Sequence, residues 1–407
     1  MNRKPGLFRL LGKVQHYSWG GHHYLPALLG RSNAADEPYA EYWMGTHPRG
    51  SSILQGTDGP ADLASLIARE PEAWLGASAS RRFGGQLPFL FKLLDVHKML
   101  SIQAHPNKRQ AEAGFARENE AGIPLDAAHR LFRDDNHKPE LMVALSDFHL
   151  LHGFKSLNAI RATLRRYPAF QSLSKLGTSV KSLYHELMSL PQGEVNVILA
   201  SLQSTLQREN DTRPYTPGMP EYWALSAIRD YRSAAGDYDR GVFSIFLLHL
   251  VHLAPGQGIY QAAGIPHAYL SGVNVELMAN SDNVFRGGLT PKHVDVEALM
   301  AHLDFDPVEP KIIHARKEKD QTISYPTPAD DFVLRSVVLP RQATLELPAR
   351  DSLQIWIIVQ GAGRFTSHDM QYSRGNAFLL RPGTALGMKA YTQTVAYLAG
   401  IPEKRAS

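Results

Sequence analysis

Gln103 and His105 stand two residues apart in the segment LSIQAHPNK, Leu100 to Lys108. On a β-strand that spacing turns both side chains to one face. Two distant segments, Asn136-His137-Lys138-Pro139-Glu140 and Pro266-His267-Ala268-Tyr269, hold what such a pair needs to close a metal site. Glu140 and His267 would complete a set of two imidazole nitrogens and two oxygens. A mixed N/O set suits zinc and also admits manganese, iron or cobalt. The chain has no cysteine, which excludes disulfides and a thiolate-closed structural zinc knot. Glutamine is a weak, neutral ligand that leaves a metal electron-poor and a good Lewis acid.

The third segment continues as GIPHAYLSGVNVELMANSDNVFRGGLTPKHVDV, Gly264 to Val296. Strand alternation puts Asn274, Glu276 and Met278 on one face. Asp282, Arg286 and Lys292 follow on a loop rich in Asn, Ser and Gly. An arginine and a lysine beside a metal fit recognition of phosphate or another anion. Taken singly, each feature has a plainer meaning. A lone histidine after an apolar strand is ordinarily a core or surface residue, DNHKPE reads as a solvated turn, and single charges read as surface salt bridges. Their joint presence in one chain is what points to chemistry.

Many short segments rich in β-branched and aromatic residues are bounded by Gly, Pro or Asp. Leu87 to Asp95, Val242 to Leu253 and Leu353 to Val359 read as strands, and this turn density suggests sandwich or barrel domains. Between Ser156 and Arg232 the period changes. Ala159, Ile160 and Leu164, then Val180, Leu183 and Leu187, then Val195, Val197, Ile198, Leu202 and Leu206 recur at helical spacing, which predicts an all-helical insertion. A strand, Gly-rich turn, strand and Gly/Pro turn occur around Pro255 to Leu270 and again around Val359 to Leu386. Both resemble jelly-roll cupin strands, and the second has no His after Pro382-Gly383. The predicted fold is mainly β with a helical insertion: two cupin-like jelly-roll β domains plus an all-α domain. The predicted boundaries are a discontinuous catalytic domain over 1–155 and 236–314, a helical domain over 156–235 and a metal-free β domain over 315–407.

The chain carries 43 basic and 39 acidic residues over 407 positions, an excess of +4 without a Lys/Arg tract. That balance favours a mildly basic enzyme over a nucleic-acid binder. No apolar run reaches the roughly 18 residues of a membrane span, and the opening MNRKPGLFRLLGKVQ lacks a signal-type apolar stretch. The expectation is a cytoplasmic protein with neither nucleic-acid nor membrane partners. The oligomeric state stays open, and a monomer is admissible.

QHYSWGG (Gln15 to Gly21), EYWMGTHPRGSS (Glu41 to Ser52), LPFLFKLLDVHKMLSIQAHPNK (Leu87 to Lys108), NHKPE and the stretch from PHAYLSG to TPKHVDV occur in this order. Together they resemble the type I mannose-6-phosphate isomerases, zinc-dependent enzymes of the cupin superfamily. The resemblance implies one Zn²⁺ per chain held by Gln103, His105, Glu140 and His267. It places active-site positions at Lys92, Ser101, His137, Lys138, Glu276, Asp282, Arg286 and Lys292. The chain departs from the family pattern at His16, at Phe132-Arg133-Asp134, and at His152 and Lys155.

The reaction so implied interconverts mannose 6-phosphate and fructose 6-phosphate through a cis-enediol. A carbonyl α-proton is too weakly acidic for a side-chain base without stabilisation of the enediolate oxygen. Arg286 is the expected fixed cation. Lys138 and Glu276 are the candidate bases, His137 and Asp282 assist ring opening or orient the base, and Lys92, Ser101 and Lys292 bind phosphate. The competing readings are an isomerase of a related sugar phosphate, an iron cupin oxygenase, and a non-catalytic sugar-binding cupin. The oxygenase has no need of the Arg286/Lys292 pair, and a degenerate binder ordinarily loses a ligand or base.

Overall fold

The computed structural model describes residues 6–56 and 59–403. Strands dominate, in sheets of ten, nine and four, with helices gathered mostly between Leu157 and Asp230.

The ten-stranded sheet carries the sequence motifs. Its spine is the long strand His267–Ala279, which bends at Gly272, where φ is +127° and a Cβ would clash with Phe148. Its first half pairs with Gln103–Ala104 and Phe148–Phe154, and its second half with Phe89–Val96 and Glu140–Ala144. One strand thus meets all three motif segments. Phe89–Val96 is buried throughout, for a reason written in its alternation. Phe89, Phe91 and Leu93 join Val275, Leu277, Ile355, Ile357 and Leu379 in a core between the ten- and nine-stranded sheets. Leu94 and Val96 face the other way, onto Met142, Phe148 and Leu150, and Lys92 shares their face.

The nine-stranded sheet runs Arg316–Lys317, Ile323–Tyr325, Val333–Leu339, Thr394–Gly400, Gln354–Gln360, Ala377–Leu380, Leu7–Leu11, Ile53–Gly56, Gly59–Asp62. Three strands from the start of the chain therefore complete the sheet built from its end. The predicted assignment of residues 1–155 wholly to the first β unit does not follow this hydrogen bonding. Leu7–Leu11 alternates side chains like any half-buried strand, and nothing in its own residues names its neighbours. The other face of this sheet packs Trp356, Ile358 and Phe378 against Phe365, Leu386 and Met388 of the four-stranded sheet.

The helical stretch follows the period of its apolar residues. Leu157–Arg165, Val180–Ser189, Gln192–Thr212 and Pro220–Asp230 are α-helices. Their buried Leu183, Leu187, Leu199, Leu202 and Leu206 share a core with Phe154, Phe246 and Phe285 of the β unit. One predicted strand is corrected: Val242 to Leu247 is 3-10 and α-helical, and the strand starts at Leu248. A continuous apolar run has no period, so it suits a buried helical turn as well as a strand.

Candidate metal centre and cationic cleft

His105 ends the short strand Gln103–Ala104, and the chain is turned away at once by a capping box. The Asn107 side chain accepts the Gln110 N–H while Gln110 accepts the Asn107 N–H, which starts the helix Lys108–Glu120. The His105 carbonyl accepts the Gly264 N–H at 2.9 Å and so brings in the turn that leads to His267. The spine strand then sets the registers His267↔Gln103 and Met278↔Glu140.

His105, Glu140 and His267 are fully buried, and one ligating atom of each lies within 4.8 Å of the others. His105 Nε2 is 3.4 Å from Glu140 Oε1, and His267 Nε2 is 3.3 Å from Glu140 Oε2. Both rings are oriented from behind. His105 Nδ1 is 2.8 Å from the Asn283 carbonyl and His267 Nδ1 is 3.0 Å from that of Ile265. Each Nδ1–H therefore donates to a carbonyl, which leaves the Nε2 lone pairs facing Glu140. Both Nε2 atoms and Glu140 Oε2 lack a hydrogen-bond partner although buried. Two imidazole lone pairs and a carboxylate converging unsatisfied are the donor set of a divalent cation, so these residues fit a metal. Gln103 borders the cleft next to them. Burial, with Lys138 adding, pushes His105 down to about 4, so its ring is free to ligate at neutral pH. Burial alone would raise the Glu140 carboxyl, but Lys138, at 3.2 Å, and His105 outweigh it and hold it well below the usual range. Among the described residues no second group of this kind occurs, and the C-terminal β unit has none.

Beside the triad opens a cleft of about 860 Å³ whose lining includes Ser101, Gln103, Lys138, Asp282, Arg286 and Lys292, together with Glu41, Trp43, His47 and Arg49. Phe285–Arg286 pairs with Gln103–Ala104 and sets Arg286 directly across from Gln103. Among the described residues Arg286 and Lys292 have no carboxylate in salt-bridge range. Burial lowers both pKa values, with Arg133 adding at Arg286 and Arg286, Arg49 and Arg133 adding at Lys292. Unpaired cations that repel one another invite an anion.

Asp239 holds that loop in place. Its carboxylate accepts the N–H groups of Gly241, Leu289 and Thr290 at 2.7, 2.9 and 3.1 Å. Leu289 sits at φ +54°, unusual for a branched side chain. Asp239→Ala is expected to strand three N–H groups and release this turn. Stability should fall by about 1.5–3 kcal/mol, as for a lost bond to a charged group, and KM for an anionic substrate should rise several-fold. Unchanged melting temperature and KM would show that the loop holds itself.

Of the expected site residues, Lys92 lines the cleft but is already paired, and His137 and Glu276 lie outside its lining. Lys92 is buried between Glu41 and Glu276, at 3.4 and 3.3 Å. Burial works against its charge, but those carboxylates win and hold it above the ordinary lysine range. A lysine so neutralised is no free phosphate ligand. His137 lies outside the cleft lining and pairs at 2.9 Å with Asp331 from the C-terminal stretch. Glu276, its pKa raised by burial and by Glu140, is screened behind Lys92 and the Tyr269 hydroxyl, which donates to it at 2.9 Å. Conversely, Glu41, His47 and Arg49 line the cleft without having been foreseen, and Arg133, foreseen only as a departure from the family pattern, acts on the charge of Arg286. The first three lie in the quoted motif EYWMGTHPRGSS, which was the available signal.

This fold and site define a β-rich enzyme with a His–Glu–His centre beside a cleft for a small anion. The family model "phosphomannose isomerase type I, catalytic domain" matches residues 7–157. The mannose-6-phosphate isomerase of Salmonella typhimurium is 38% identical over 83% of this chain and 85% of its own length. The human mannose-6-phosphate isomerase is 34% identical over 88% of each. A crystal structure of the Salmonella typhimurium enzyme, bound to its substrate fructose 6-phosphate and to zinc, superposes with a TM-score of 0.85 at 33% identity, covering 98% of this chain and all (100%) of that one. The chain belongs to the type I phosphomannose isomerase family.

Proposed function

We propose that this chain interconverts mannose 6-phosphate and fructose 6-phosphate with one zinc ion per chain. The observation that carries the reading is the buried His105–Glu140–His267 triad, its Nε2 atoms unsatisfied, set beside Arg286 and Lys292, which have no carboxylate in salt-bridge range among the described residues. Gln103, His105, Glu140 and His267 hold the ion. Bound there, zinc supplies a Lewis acid beside the sugar carbonyl. Lys138 reaches the cleft wall and is the proton carrier in this reading. As its neutral amine it would take the C2 proton of the open-chain aldose, and the ammonium so formed would return a proton to C1, completing the ketose by way of the cis-enediol. Arg286 places a fixed positive charge beside the enediolate oxygen. Ser101 and Lys292, with Arg49 and Arg133 nearby, hold the phosphate. Asp282 accepts from a sugar hydroxyl, and burial of Glu276 behind Lys92 leaves it supporting the wall rather than the substrate.

In the same reading the β sheets form two cupin-like units, the second completed by the N-terminal strands, with residues 156–235 as a helical insertion. The protein acts in the cytoplasm, since an ionised phosphate ester does not cross a bilayer unaided. No helix among the described residues is long and apolar enough to span a membrane. The partner is a small sugar phosphate rather than a nucleic acid or a lipid surface.

A coupled assay with mannose 6-phosphate tests this. Turnover should vanish after chelation and return with added zinc. Full activity in stoichiometrically metal-free protein would overturn the metal's part. Turnover of another sugar phosphate in place of mannose 6-phosphate would move the substrate assignment.

A further inference from the structure

His47 is a buried histidine, 4% exposed, at the wall of the cleft. It follows the strand Glu41–Met44 and opens a turn, His47-Pro48-Arg49-Gly50, closed by the Gly50 N–H donating to the His47 carbonyl at 2.8 Å. Proline at the second position pre-sets such a turn. The turn folds the Arg49 backbone N–H onto the imidazole, where it donates to His47 Nδ1 at 3.2 Å. That leaves Nε2 to carry the ring proton and to donate to Asp282 Oδ2, 3.2 Å away. The other Asp282 oxygen takes the Arg49 guanidinium at 2.5 Å. Behind the ring Trp43 packs edge-on at 4.8 Å, and Arg49 also lies 5.4 Å over that indole. The Asp282 backbone is held as well, its N–H donating to Asp134 Oδ2 at 2.7 Å.

Asp282 is thus gripped at both carboxylate oxygens and at its backbone. The remaining lone pairs of an acceptor held in this way point in fixed directions. A carboxylate used to orient a sugar hydroxyl needs that fixity, because small displacements are costly in rate. Arg49 alone cannot supply it: its guanidinium is over half exposed, with a side-chain exposure of 58%, whereas that of His47 is 4%.

We propose that His47 is a positioning residue for Asp282, its Nε2–H aiming the carboxylate at the substrate while Nδ1 is locked by the Arg49 amide. The proposal rests on the isomerase reading above for its kinetic consequence, and on geometry alone for its tautomer.

The test uses zinc-loaded protein with His47→Leu and His47→Gln. Glutamine can bring an amide N–H to where Nε2 stands, and leucine cannot. His47→Leu should lower kcat about 10- to 100-fold. Its KM should stay within about threefold, with zinc content and melting temperature near wild type. His47→Gln should recover at least half of that loss on a logarithmic scale. Wild-type kcat in His47→Leu would overturn the proposal. So would equal impairment of both variants, or loss of zinc or of melting temperature in step with kcat, which marks a structural role. Imidazole ¹⁵N shifts of the unsubstituted protein should show His47 protonated at Nε2 and bare at Nδ1. The opposite tautomer overturns the proposal whether or not the enzyme turns over mannose 6-phosphate, whereas absent turnover with the expected tautomer strikes the functional reading alone.

Discussion

His267→Ala is expected to lose zinc and activity together. The imidazole Nε2 stands 3.3 Å from Glu140 Oε2, buried and without any other partner. Its orientation is fixed by the Ile265 carbonyl. Removing it leaves His105, Glu140 and the weak ligand Gln103, with Lys138 already 3.2 Å from Glu140 and ready to pair with it instead. Lewis-acid assistance is worth several kcal/mol, so kcat should drop by about 10³-fold or more. Zinc per chain, measured by atomic absorption after gel filtration, should fall from near one to near zero. Stoichiometric zinc in the variant would remove His267 from the ligand set, however inactive the protein proved.

Arg286→Ala separates electrostatic stabilisation from simple binding. Arg286 sits across the ladder from Gln103 and faces the cleft with no carboxylate in salt-bridge range among the described residues. A fixed cation at that position acts on charge that appears only during reaction, and losing one such group costs about 10²–10³ in rate. The expected result is a kcat decrease of that order with zinc content unchanged. A rise in KM with kcat preserved would reassign Arg286 to the phosphate. Arg286→Lys should restore part of kcat, because the charge returns without the planar fork. Kinetics within a few-fold of wild type in Arg286→Ala would take it off the catalytic list.

How far the site could be read in advance depended on where the information lay. Gln103 and His105 were legible because two residues of strand carry their own geometry. The return of Arg286 toward them was legible because the Asn280 to Asn283 run is turn-forming. The pairing of Lys92 was hidden because a lysine in an apolar strand gives no hint that Glu41 and Glu276 flank it from two other strands. The pairing of His137 was hidden for the same reason, since Asp331 comes from 194 positions further along the chain. The helices were legible through their period, and the Val242 to Leu247 run was not, having none. Nothing local to Asp239 signals that the N–H groups of Gly241, Leu289 and Thr290 converge on it. Contacts set by neighbours in space, rather than by the local repeat, are the part a single chain conceals.

Leu7–Leu11 lies between Ala377–Leu380 and Ile53–Gly56, bonded to both. Its register with Leu380 spans nearly the whole molecule, and this imposes an order on biosynthesis. The ribosome issues Leu7 about 370 residues before its neighbour Leu380. At about 5–20 residues per second, the early strand waits roughly 20–70 s with one edge open. An open, half-apolar edge is a template for pairing with another nascent chain. The strands from Arg316 to Gly400, among whose described residues no His/Glu metal cluster occurs, therefore close the sheet only after the earlier strands are made. A chain released or nicked before Ala377 would keep every metal ligand and still expose an unfinished sheet. Chaperone capture of the nascent chain, and aggregation of short products in cells, are the costs this topology carries.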